Sequence, residues 1–175
     1  MKTIGQTFFR RFYKIMASTS MFIALTTPLT PHLLQAADPA PEQSAPASLK
    51  AGDLYGGGKV VYLLQPGDAG YVAGQTHGLI AATADIGEGM MWAKAVKLCN
   101  EYRAGGFSDW RLPSKVELNR LYKNKTLIGD FKERHFYWSG TENDKNDAWD
   151  QSFRTGISNL GYKLDNNYVR AVRTF

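Results

Sequence analysis

Two amphipathic helices, both bounded by local stop or start signals and both ahead of most β-prone runs, limit this chain's fold more than any other feature. Residues 90–103 carry Met91, Ala95, Leu98 and Tyr102 at i, i+4, i+7 and i+11. Trp92, Val96 and Cys99 widen that stripe, and Lys94, Lys97 and Glu101 occupy the other side. Gly105-Gly106 ends the helix, because glycine accepts the backbone angles needed just past a last turn. Ser114 with Glu117 three residues on has the capping-box spacing, and Pro113 resists helix from upstream. Leu118, Leu121 and Tyr122 form the apolar face of this second helix, with Asn119, Arg120 and Lys123 turned outward. Residues 60–64 read as a buried strand between Gly56-Gly57-Gly58 and Pro66-Gly67, and residues 77–82 as another. Downstream, residues 136–138, 148–154 and 168–175 are β-rich, with turn chemistry at Thr155-Gly156 and Asn166-Asn167. This order predicts an α+β fold, two helices packed on antiparallel strands, and not alternating βαβ units.

The first 36 residues read as an address. Lys2, Arg10, Arg11 and Lys14 precede a short, mostly apolar run at 15–27, then Pro28 and Pro31, then Ala36-Ala37. That is the order of parts in a secretory signal peptide, with cleavage expected after Ala36 or Ala37. The run falls short of the roughly 20 apolar residues of a membrane span, so no transmembrane segment is expected after cleavage. Residues 37–51, with Pro39, Pro41 and Pro46 among Ala, Ser, Glu and Gln, read as a linker, leaving 52–175 as the domain. The chain is therefore expected to be exported, to the periplasm, the cell surface or the medium.

Charge narrows the partners. The net charge of +5 is concentrated in the leader, since the remainder holds 17 basic against 16 acidic residues. Nucleic acid is not an expected partner, because the basic footprint it requires is missing. One cysteine excludes an intrachain disulfide framework and cysteine-rich zinc sites, and Cys99 reads as a small core residue. No HExxH, Gly-x-Ser-x-Gly or Walker motif occurs, so no catalytic residue is assigned and no enzyme is expected.

The most concentrated polar chemistry is the acid–amide cluster Glu142, Asn143, Asp144, Asn146, Asp147 and Asp150. Three readings stay open: a solvated loop, a Ca²⁺ site built from six to eight oxygens, and a glycan site. No cofactor is assigned, with Ca²⁺ the one cation the cluster admits. A glycan site stacks sugar rings on aromatic faces and bonds hydroxyls to carboxylates, amides and guanidinium groups. Its candidate ligand-binding residues are Asn143, Asp144, Asn146, Asp147, Trp149, Asp150, Arg154, Tyr162, Asn166, Asn167 and Tyr168, on expected loops at 142–150 and 155–168.

Several segments come in a recognisable order: Gly-Gly-Gly-Lys-Val-Val-Tyr at 56–62, His77-Gly78-Leu79, Trp92 with Ala95 and Cys99-Asn100, and Gly-Gly-Phe-Ser-Asp-Trp-Arg-Leu-Pro-Ser at 105–114. Glu117-Leu118, Tyr137-Trp138-Ser139, Thr141-Glu142 and Val-Arg-Ala-Val-Arg at 169–173 complete the set. Residues 56–175 thereby resemble the Lcl C-terminal domain family, named for the end domain of a bacterial collagen-like adhesin. The resemblance implies an exported bacterial surface module with a fold similar to C-type-lectin and formylglycine-generating domains. It also implies binding of sulfated glycosaminoglycans and trimeric assembly for the adhesin itself. This chain has no collagen stalk, and Ala171 stands where some members carry a second cysteine. The expected function is a non-enzymatic binding module for a glycan or cell-surface partner, homo-oligomer or not. The alternative is a structural or protein-interaction subunit of an envelope assembly. Arg111, Arg170 and Arg173 are expected to pair with Glu117, Asp109 or Glu142, since guanidinium suits bidentate bonding.

Overall fold

A computed structural model of the protein describes residues 48–175. The expected signal peptide and most of the linker lie outside the described residues. The strands are β1 (Leu54–Tyr55), β2 (Gly58–Leu63), β3 (Gly78–Ala81), β4 (Gly87–Met90), β5 (Phe136–Glu142), β6 (Asp147–Ser152), β7 (Ser158–Tyr162), β8 (Asn167–Val169) and β9 (Val172–Thr174). The helices are α1 (Trp92–Glu101), α2 (Lys115–Lys123) and the short α3 (Lys125–Ile128). The fold is mixed α+β: a four-stranded sheet in the order β1-β2-β3-β9 and a five-stranded sheet in the order β4-β8-β5-β6-β7.

One bent ribbon joins the two sheets. β3 pairs antiparallel with β9, β4 pairs antiparallel with β8, and Ala82 N–H and Ile86 N–H donate to Ala171 and Val169 across the bend. The expected single strand at 168–175 is thus two short strands in different sheets, broken at Arg170 and Ala171. Arg170 sits buried at that break. Its guanidinium pairs with Asp85 at 2.8 Å and donates to the carbonyls of Ala82 and Asp130. Burial raises the Asp85 pKa despite Arg170 and the Tyr137 hydroxyl beside it.

Adjacent side chains on β5 point to opposite faces, and each face has its own core. Trp138 packs with Ile80, Ala95, Cys99, Trp110, Leu112 and Ala148, the cluster that takes the apolar side of α1. Tyr137 packs with Leu118, Leu121, Ile128 and Phe153, the cluster that takes α2 and α3. Three tryptophans tie elements together through their indole N–H groups: Trp92 to Ser139 O, Trp110 to Ala104 O and Trp138 to Met90 O. The glycine run before β2 is a close-approach device. A Cβ at Gly57 would lie 2.6 Å from Ala104 O, and Gly57 has a φ of +83° that side chains rarely adopt.

Both helix readings locate real elements, and the second keeps its start. Ser114 Oγ accepts the Glu117 N–H while the Glu117 carboxylate accepts the Ser114 N–H. The first is shorter at both ends than the periodicity suggests: Met90 belongs to β4, Met91 is the N-cap position, and extended backbone at Tyr102 ends the helix before Gly105-Gly106, which lie in a 3-10 turn. Three expectations are corrected. β5 and β8 run parallel, so the sheet is not wholly antiparallel. A third helix, α3, follows α2 directly. The span 155–168 is not an open loop: it contains all of β7, and Asn167 opens β8 where a turn was expected.

Candidate functional site

The acid–amide cluster is divided between a tight turn and the inside of a strand. Asn143, Asp144 and Asn146 are exposed in the β5–β6 turn, where Asp144 Oδ1 accepts the N–H groups of Asn146 and Asp147. Those bonds, the Asn146 one foremost, hold the Asp144 pKa below the usual carboxylate range. Lys163 braces the turn by donating to Glu142 Oε2 and to Asp144 O. Much of this oxygen-rich loop is therefore bonded to itself. Among the described residues no group of three or more His, Cys, Asp or Glu side chains is placed to hold a metal ion.

Asp150 and Asn167 are not on the surface at all, each being 7% exposed. Their side chains bond each other at 2.9 Å. Burial raises the Asp150 pKa to about 6; Asn167 and Asn159 work against the rise, and the charge of Asp165 adds to it. As β6 alternates, Asp150 shares the Trp138 face with Ala148 and cannot meet an outside ligand without the strand moving. Tyr168 also leaves the group. It lies on β8, which β5 separates from β6, and packs against Tyr137 and His135. Asn166 and Arg154 are exposed, in the turns before β8 and after β6.

What the structure does bring together is an aromatic–aliphatic strip on the outer face of the β6–β7 hairpin. The register sets Trp149 opposite Leu160 and Asp147 opposite Tyr162. Leu160 and Tyr162 are each 48% exposed. Trp149 is half-buried and differs from the other three tryptophans, since its indole N–H has no hydrogen-bond partner among the described residues. α2 borders the strip: the Lys115 ammonium sits 2.9 Å from the Trp149 ring centroid, and Gln151 Nε2 donates to Asn119. Leu160 escaped sequence reading. Its signal was the polar–apolar alternation Ser-Asn-Leu-Gly-Tyr, weakened by the glycine that β7 needs where it crosses Trp138.

A concavity of about 540 Å³ lies between α2 and the first sheet, lined by Leu64, Leu79, Val116 and Phe175 with His77 and Arg120. Its polar groups are engaged within the protein. Arg120 pairs with Asp68 at 2.8 Å, and Glu117 grips Arg111 through two 2.7 Å bonds. Burial opposes ionisation of Glu117, yet Arg111 and the Ser114 N–H outweigh it and hold its pKa low. Both His77 ring nitrogens already face acceptors, Phe175 O and Gln75 Oε1. Cys99 is fully buried, and burial pushes its thiol up to about 12, well away from a reactive thiolate.

Arg111 and Arg173 take the expected partners, Glu117 and Asp109, while Arg170 takes Asp85 and Glu142 takes Lys163. No described helix is long and apolar enough to cross a membrane. No curated protein matches the chain. A family model described as the Lcl C-terminal domain matches residues 70–173, taking in the bent ribbon, the three helices and the whole β6–β7 hairpin. With more than half of the chain covered by that match, this protein belongs to the Lcl C-terminal domain family.

Proposed function

We propose that this protein is an exported, non-catalytic binding module that recognises a glycan or cell-surface partner through the outer face of the β6–β7 hairpin. The observation that carries this reading is the Trp149–Leu160–Tyr162 strip. An indole with an unused N–H lies on an exposed, amphipathic surface, beside the Lys115 ammonium and the Asp147 carboxylate. Such a surface offers aromatic area for stacking and donors and acceptors for hydroxyl groups. Membership in a family named for an adhesin's end domain supports the same direction. Glycan-array and heparin-affinity measurements test it, using Trp149→Ala, Tyr162→Ala and Arg154→Ala proteins whose melting is unchanged. Binding that falls for Trp149→Ala and Tyr162→Ala supports the site; binding retained in all three refutes it.

A second reading, a protein-interaction subunit of an envelope assembly, is favoured by the uncharged edge of β7, which no other strand covers among the described residues. A stable partner recovered from envelope extract, with blank glycan arrays, would select it. Repeating the capture with a chelator present tests any role for Ca²⁺.

A further inference from the structure

We propose that β7 pairs edge to edge with β7 of a second copy of this chain, antiparallel, about a two-fold axis at Asn159. Among the described residues β7 is the last strand of its sheet, bonded to β6 on one side only. Lys163 N–H donates to Asn146 and Ser152 N–H to Ile157. In an antiparallel ladder inward and outward residues alternate, so Ser158, Leu160 and Tyr162 direct their N–H and C=O groups away from β6. Tyr162 is already closed off, its N–H donating to Asp165 Oδ2 and its C=O accepting the Asp165 N–H. Among the described residues, Ser158 and Leu160 are left with no partner for either backbone group.

An antiparallel second copy centred on Asn159 matches that vacancy. Ser158 then faces the other copy's Leu160, and Leu160 its Ser158, and each pair exchanges both N–H···O=C bonds. All open groups on both edges are satisfied with none left over, which matters because an unpaired edge is a standing template for association. Nothing in the strand opposes the pairing: residues 155–162 contain neither a charge nor a proline, the devices that usually protect an edge. A bulky neighbour also fits. In this register the 59%-exposed Ile157, just ahead of the strand, meets the second copy's Gly161. The interface is isologous, so it closes at a dimer.

The pairing does not depend on the glycan reading, and the two can fail separately. Sedimentation equilibrium over a micromolar concentration series should give a dimer for the native chain. Ser158→Pro removes an outward N–H at the first position of an edge strand, where proline is tolerated. It should weaken association at least about tenfold with melting and glycan binding retained. Asn159→Cys supplies an independent readout that survives a poorly folding proline variant. The two-fold axis sets residue 159 opposite itself at a spacing a disulfide can bridge, so mild oxidation should link two chains. Leu164→Cys, exposed but off the axis, should not link, and buried Cys99 contributes no competing thiol. A native monomer, a trimeric mass, or no preference for linkage at 159 overturns the proposal.

Discussion

Replacing Asp150 with asparagine removes a charge that the fold shelters poorly. The carboxyl is 7% exposed, its Oδ1 has no hydrogen-bond partner of good geometry, and the Asn167 amide bonded to Oδ2, with Asn159 beside it, does not offset the cost of burial. Burial, aided by Asp165, lifts its pKa from 3.8 to about 6. Between about pH 4 and pH 6 the folded protein keeps a proton that the unfolded chain releases, so stability falls as pH rises through that window. At about 1.4 kcal/mol per pH unit, the loss carried by this one group is about 3 kcal/mol at neutral pH. An asparagine side chain has nearly the same volume and can still accept from Asn167, yet has no charge to bury. Urea unfolding followed from pH 4 to pH 7 should show Asp150→Asn gaining on the native protein by up to about 3 kcal/mol at pH 7. At pH 4 the two should nearly coincide. A variant with the native protein's pH slope, or one less stable at pH 7, refutes the reasoning.

Arg170→Ala strips the partner from buried Asp85 and should cost about 3–5 kcal/mol, read as a lower urea midpoint. Gly161→Ala would put a Cβ 2.6 Å from Asp150 Oδ2 and 2.9 Å from the Trp138 ring; thermal unfolding should register a loss of about 1–3 kcal/mol. Ser114→Ala removes the acceptor for the Glu117 N–H and should lower stability by about 1 kcal/mol in the same assay. Cys99, with its pKa pushed up to about 12, should resist a thiol-reactive dye in the folded protein and label fully in denaturant.

The candidate site was legible in part. Asn143, Asp144 and Asn146 gather in the β5–β6 turn, while Asp147, Trp149 and Tyr162 lie on the adjoining β6–β7 hairpin, as their proximity in sequence allows. In the sequence Asp150 and Asn167 look like members of the same surface group, because an acid or amide near a turn resembles a surface residue. Strand alternation then turned Asp150 inward, and β8 carried Asn167 to meet it. Leu160 went unnoticed because one apolar residue beside glycine carries little periodic signal.

The existence of the two amphipathic helices and the Ser114–Glu117 cap were decided by the sequence alone, because periodicity and capping act over a few residues. The sheet break at Arg170, its pairing with Asp85 across 85 residues and the parallel contact of β5 with β8 were decided only in three dimensions. No local rule reaches that far. Whether a polar side chain meets water or another buried group depends on which distant strand comes to lie beside it.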